Sequence, residues 1–265
     1  MALEYYFLFL VASFFSLNYE YENKIVKQKK GSYYFHTFFI LLLIFFIGFR
    51  FEVGGDWSSY NFFYDRAQST NAKEFFSVNE VGYALLNYIS ATLSGGILLV
   101  NVLCAVIFVY FFYNFIITLP RPWLGVVIAI PYFIIVISMG FVRQGLAIAI
   151  FMYAITFIKK KKYKTYIFFN LIASTFHLSV LAFIPLILLL YLSKKIFSTF
   201  LVLIFVTIIF YINYDFILSK SETYFLAVMT SEGAFIRSLM NFIPALIFIL
   251  FMKKFRMDKN EKLFW

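Results

Sequence analysis

Tyr166–Leu192 reads YIFFNLIASTFHLSVLAFIPLILLLYL, 27 residues without a charge, and how this run is cut decides the topology of everything after it. A membrane-spanning helix needs about 20 apolar residues, within a range of roughly 17–25. Taken as one helix the run is over-long and must tilt. Taken as two, it folds back near His177 into short or broken helices. Charge separates the two readings, because loops on the cytoplasmic side collect Lys and Arg. With the fold-back, Lys24/Lys27/Lys29/Lys30, Arg121, Lys159–Lys162 with Lys164, Lys194/Lys195 and Lys253/Lys254/Arg256/Lys259/Lys262 share one side, 17 of 23 basic residues. A single tilted helix inverts the downstream half and divides the same residues 12 against 11. Only the first arrangement obeys the rule, so the run is expected to break at His177.

Working outward, further uncharged apolar runs occupy Tyr5–Leu17, Tyr33–Phe49, Ile97–Leu119, Trp123–Met139, Gln144–Ile158, Ile196–Ile212 and Ser238–Met252. Val81–Leu93 is too short to span and is expected to form an interfacial or re-entrant helix packed under an outer loop at 50–80. The expectation is an all-α, polytopic integral membrane protein: one transmembrane domain over residues 1–265, with about eight to nine transmembrane helices. Met1-Ala-Leu-Glu lacks a basic region and no small-residue cleavage site follows, so the first run is expected to be a membrane helix and not a removable signal. The basic loops then lie in the cytoplasm. Arg50–Asn79, the turn at Gly140–Arg143, His177 and Asn213–Ala234 face outward.

Composition agrees with this reading. Hydrophobic residues make up 63% of the 265 and charged residues 14%, where a soluble domain needs about 25% charged residues to solvate its surface. The +10 net charge sits in short clusters between apolar runs, so membrane orientation explains it and nucleic acid is not an expected partner. A lone Cys104 excludes an internal disulfide, and two histidines, His36 and His177, do not furnish a multi-histidine metal site. The 39 Phe and 20 Tyr suit lipid-facing positions better than a sugar-binding platform.

Three short segments carry chemistry. Arg50-Phe-Glu-Val-Gly54-Gly55-Asp56-Trp-Ser-Ser-Tyr60 begins where a membrane helix ends, and packs three charges and two glycines into eleven residues. Glycine permits a sharp turn or a close backbone approach; the same segment also suits a capped loop with an interfacial Arg. Gly140-Phe-Val-Arg143-Gln144-Gly145 places an Arg in a tight turn on the side that orientation disfavours, and an ionisable residue at membrane depth is a functional candidate. Ser174-Thr-Phe-His177-Leu-Ser179 sets a His among hydroxyl groups where the long run folds back. Arg66, Glu80, Glu232 and Arg237 are weaker candidates that equally suit interfacial anchors. His36, near the cytoplasmic end of its helix, is read as structural.

These segments, in this order, resemble the EpsG-like branch of Wzy-type polysaccharide polymerases: Arg50…Gly54-Gly55-Asp56…Tyr60 after a membrane helix, then Val142-Arg143-Gln144-Gly145-Leu146-Ala147, then Phe176-His177-Leu178-Ser179. The resemblance covers roughly residues 30–190 and extends more loosely to Lys254. It implies a membrane glycosyltransferase at the outer face of the cytoplasmic membrane, joining oligosaccharide repeat units carried on a polyprenyl diphosphate into a surface polysaccharide. No cofactor or metal is implied. The expected partners are the lipid-linked glycan, membrane lipid, a chain-length regulator and a flippase. The implied catalytic set is Arg50, Asp56, Arg143 and His177, with Tyr60, Gln144, Arg66, Glu80 and Arg237 contributing to substrate binding. Arg suits a diphosphate leaving group. His177 or Asp56 is the base for the acceptor hydroxyl, with His177 favoured. Family members are commonly longer, so the chain is expected to be a truncated or minimal version. Three other classes remain open at this level: a flippase or transporter of lipid-linked oligosaccharide, a membrane O-acyltransferase and a non-enzymatic scaffold. The almost purely apolar helix interiors disfavour the first, and the outward position of His177 disfavours the second.

Overall fold

The computed structural model describes residues 2–19, 30–77, 80–185 and 234–251, with scattered positions between 200 and 218. Every regular element among them is helical. The chain resolves into two units, residues 1–181 and 182–265. In the first, α1 (Ala2–Tyr19) and α2 (Lys30–Gly48) precede α3 (Trp57–Ser69), α4 (Ala72–Ser77), α5 (Val81–Thr92) and α6 (Gly96–Ile116). Then come α7 (Pro122–Ala129), which widens into a π-helix over Ile130–Ser138, and α8 (Val142–Lys159) and α9 (Tyr163–Ser174). A 3-10 turn, Leu178–Phe183, follows, and α10 (Ala234–Phe251) belongs to the second unit.

The centre of the first unit is α6, against which α2, α5 and α8 pack. Its 21 residues contain no charge, and at 1.5 Å per residue it is about 30 Å long, the thickness of a bilayer's hydrocarbon core. It buries Val100, Asn101, Cys104, Ala105, Phe108, Val109, Phe112 and Ile116, a stripe at three- and four-residue spacing. Leu98, Val106 and Tyr110 on the remaining face are exposed although apolar. Among the described residues α6 alone is long and apolar enough to cross a membrane unaided. Shorter apolar helical stretches lie at Leu3–Asn18, Phe35–Gly48, Pro122–Ser138 and Val142–Ile158. The first two share its outward apolar face: Phe7, Leu10, Phe14, Phe38, Leu41 and Phe45 are all exposed.

Three local features differ from, or refine, the reading of the sequence. The stretch 50–80 is not a simple loop, because α3 and α4 lie within it. Helix α3 is mostly polar and was invisible to a search for apolar runs, yet Tyr60, Tyr64 and Ala67 are buried at helical spacing and hold it against α5. The run Trp123–Met139 is helical but irregular. Pro131 has no N–H and crowds the carbonyl one turn back, and the helix widens to π there. The long run after Tyr166 is interrupted: α9 ends at Ser174, and the chain turns through Thr175, Phe176 and His177 into the 3-10 segment. The remainder of that run beyond 185, the basic stretch 20–29, Lys194/Lys195, the expected outer loop Asn213–Ala234 (save its edges), and the basic C-terminal segment lie outside the described residues, as does most of the expected span Ile196–Ile212.

At the other end of α2 and α6, His36 stacks on Trp123 with ring centres 5.1 Å apart and meets Tyr113 edge-on at 5.8 Å. Trp123 also stacks on Phe15 of α1, at 4.7 Å. His36 is thus part of an aromatic joint between helices.

Candidate functional site

Helix α5 begins at Val81, and Glu80 occupies its N-cap position. Its carboxylate makes no capping bond with the helix; it reaches away to two other elements. Oε2 lies 3.1 Å from Arg143 Nη1 in the first turn of α8, and Oε1 lies 3.2 Å from His177 Nδ1 just past the end of α9. One carboxylate therefore joins residues 63 and 97 positions away in sequence. The Glu80 side chain is 16% exposed, Arg143 31% and His177 37%, so the acid lies deepest and its two partners face the opening.

Helix electrostatics do not explain Arg143. The first turn of a helix carries partial positive charge, and a cation there is disfavoured. It is held instead by Glu80 and by two aromatic faces, Phe63 of α3 at 5.1 Å and Tyr83 of α5 at 6.0 Å. Tyr83 in turn meets Tyr60 at 5.5 Å and Phe63 at 5.9 Å, forming an aromatic floor beneath the guanidinium.

The backbone fixes these distances at two close approaches. Gly82 N–H donates to the Thr175 carbonyl at 2.9 Å, tying the start of α5 to the end of α9 and so Glu80 to His177. A Cβ on Gly82 would stand 2.5 Å from Thr175 Oγ1, which is why only glycine fits. Gly54 adopts φ +94° and lies against the backbone of Gly140, which brings the segment before α3 up to the turn before α8.

Tyr60 lies beside Arg143, with Asp56 one turn before it in the chain. Asp56 is the N-cap residue of α3 and its carbonyl accepts from Tyr60 N–H at 3.0 Å. Burial pushes the Tyr60 phenol up to about 12, helped by the charge of Asp56 and opposed by the Arg143 guanidinium and the Val142 N–H at its oxygen. Tyr60 is therefore a neutral hydroxyl at any physiological pH.

Arg50 takes a different position. It is 4% exposed, with Nη2 donating to Asn101 Oδ1 at 2.7 Å and Nη1 to the Ile47 carbonyl at 3.3 Å. Burial lowers its affinity for a proton, and the neighbouring Cys104, Tyr83 and Tyr60 oppose that shift. Arg50 braces the interior below Tyr60 and Tyr83, while Arg143 and His177 face the opening. Gln144 is exposed on α8, and Arg66 lies in the last turn of α3 over the Phe62 ring at 6.0 Å. Arg237 belongs to α10 in the second unit, and its side chain is outside the described ones. Among the described residues no three His, Cys, Asp or Glu side chains cluster in a way that would hold a metal ion.

The family model for EpsG matches residues 33–265, which includes all of these elements except α1 and the start of α2. The chain belongs to the EpsG family. Membership associates it with exopolysaccharide biosynthesis, in agreement with the resemblance carried by the Arg50–Tyr60, Val142–Ala147 and Phe176–Ser179 segments. No curated protein and no solved structure gives a match. Within this EpsG-family chain the central role of Glu80 was not apparent from sequence, where it is one of several acids near an expected loop. The available signal was an acid directly before a helix too short to span, followed two residues later by glycine. Asn101 also escaped notice, although an amide inside an otherwise apolar helix is itself a signal of a buried polar partner.

Proposed function

We infer that this protein is a glycosyltransferase of the cytoplasmic membrane that polymerises polyprenyl-diphosphate-linked oligosaccharides into exopolysaccharide at the outer face. The observation that carries this reading is the convergence of Arg143 and His177 on Glu80 in one partly open site of an EpsG-family chain. The membrane setting is supported by the length of α6 and by the apolar residues turned outward on its neighbours, which in water would form a large unfavourable surface. About eight to nine spanning helices with the basic loops inside remains the topology that the charge distribution favours.

The chemistry asks for two groups. The anomeric carbon of the donor forms a bond to the acceptor hydroxyl oxygen while its bond to the diphosphate oxygen breaks. The electron pair leaves with the diphosphate, and Arg143 stabilises that growing negative charge by charge-assisted hydrogen bonds. The hydroxyl proton passes to His177, the general base. Tyr60 hydrogen-bonds with Arg143 and orients it, Asp56 acts on the site through Tyr60, and Arg50 supports the floor from within. Gln144, exposed one residue after Arg143, is available to the glycan; Arg66 and Arg237 are further candidates for substrate contact.

In cells, Arg143→Ala and His177→Ala are expected to abolish long-chain polysaccharide at unchanged protein abundance, with single repeat units accumulating on the outer leaflet. Normal chain lengths in either variant contradict the site. Accumulation on the inner leaflet would indicate a flippase instead.

A further inference from the structure

Glu80 divides its two oxygens between partners that differ in how firmly they are held. Its link to His177 is braced by backbone, since Gly82 N–H bonds to the Thr175 carbonyl two residues before the histidine. Its link to Arg143 is made across to a separate helix by the guanidinium, which is 31% exposed. An anion entering from the open side meets Arg143 with one of its hydrogen-bonding directions already taken by Oε2. A carboxylate only accepts hydrogen bonds, so the contact at Oε1 requires His177 Nδ1 to carry the hydrogen. In the neutral ring this leaves the lone pair on Nε2.

We propose that Glu80 is a positioning residue that couples diphosphate binding at Arg143 to the readiness of His177 as base; this rests on the polymerase reading above. In the empty site Glu80 neutralises Arg143 and fixes the His177 tautomer. A bound diphosphate takes over Arg143 and displaces Oε2, and the whole carboxylate charge then serves His177. When Nε2 accepts the proton of the acceptor hydroxyl, the imidazolium forms beside an anion no longer shared with the arginine. Among the described residues the titratable groups that face the pair are Tyr60 on α3, which itself feels the charge of Asp56 at the start of that helix, and Tyr83 on α5. The arrangement sets the base only when leaving group and clamp are together, which guards the lipid-linked donor against attack by water.

The test separates binding from turnover in Glu80→Gln. Affinity is measured with a sugar-free polyprenyl diphosphate in detergent micelles, and kcat from polymer formed on lipid-linked repeat units. Removing the competing charge is expected to tighten diphosphate binding about threefold to fivefold, the size of a partly exposed ion pair. The kcat is expected to fall at least about tenfold, because the base loses its orienting carboxylate. A merely structural role moves both quantities in the unfavourable direction. Glu80→Asp, which keeps the charge but is one methylene shorter, is expected to recover part of the kcat without the gain in diphosphate binding, and Glu80→Ala, which also removes the charge, provides the same comparison if Glu80→Gln does not accumulate. Weakened or unchanged binding in Glu80→Gln overturns the coupling, as does an unchanged kcat. If the wild type binds the diphosphate, and more tightly as Glu80→Gln, yet makes no polymer, the polymerase reading fails while the competition at Arg143 stands. If the wild type polymerises but Glu80→Gln binds less tightly, the coupling fails and the polymerase reading stands.

Discussion

Arg143, in the first turn of α8, and Arg50, just past the end of α2, have opposite surroundings. Arg143 has a carboxylate and two aromatic faces and still presents its charge to an opening. Its replacement by Ala is expected to lower kcat by about 10²–10³, the effect of removing a group that stabilises a developing anion. Lys is expected to restore little, since an ammonium cannot reproduce the planar, bidentate fork. Arg50 is sealed, with Asn101 accepting from it at 2.7 Å and its Nε lacking a protein partner. Arg50→Ala is expected to lower stability by about 1–3 kcal/mol by stranding Asn101, and thermal unfolding in detergent measures it. Tyr60 gives a pH prediction. Its phenol is held near 12, above the ordinary 10, so it stays protonated throughout the working range and Tyr60→Phe changes activity by the same factor between about pH 6 and pH 9. The sign for stability follows from the raised value. Above about pH 10 the unfolded chain ionises this tyrosine while the folded one does not, so stability falls as pH rises toward 12. That contribution, about 2–3 kcal/mol, is expected to vanish in Tyr60→Phe.

At the scale of elements, the site is a set of helix ends pinned together: the start of α5, the start of α8 and the end of α9. The pins are glycines. Gly82→Ala is expected to push α5 from α9 and separate Glu80 from His177, reducing activity at least about tenfold while the protein still folds. Thr175→Ala in the same chain removes the Oγ1 that the new methyl strikes, and is expected to restore part of that activity; the Thr175 carbonyl, 3.0 Å from the same methyl, limits the recovery. Gly54→Ala has no such remedy, because it meets the Gly140 backbone and is also strained at φ +94°. These elements differ in how legible they were. Apolar runs announced α1, α2, α6 and α8 because each of these helices is apolar along most of its length. The helix is interrupted near His177, where the charge count led the break to be expected. Helix α3 left no such trace, because three buried positions in thirteen residues make a weak pattern. The pairing of Glu80 with Arg143 and His177 depends on tertiary approach across 63 and 97 residues, which no local spacing encodes.

At the scale of the whole molecule, the membrane direction and the chemistry must agree, since a lipid-linked glycan on the outer leaflet can be used only by a site on that side. Cys104 is buried in α6, so its replacement by Ala permits single cysteines to be introduced elsewhere. Cysteine at Gln144 is expected to react with an impermeant maleimide in intact cells, while cysteine at Lys161 reacts only after permeabilisation; both positions are exposed on the protein. The reverse pattern would turn the site toward the cytoplasm. The most direct measurement of the central claim is reconstitution of the purified protein with a polyprenyl-diphosphate-linked repeat unit, following glycan length and released polyprenyl diphosphate together. The wild type is expected to form a ladder of polymer with one diphosphate lipid released per linkage, both lost in Arg143→Ala and His177→Ala. A full ladder from His177→Ala, or translocation of the lipid-linked unit with no new linkage by the wild type, would contradict that claim.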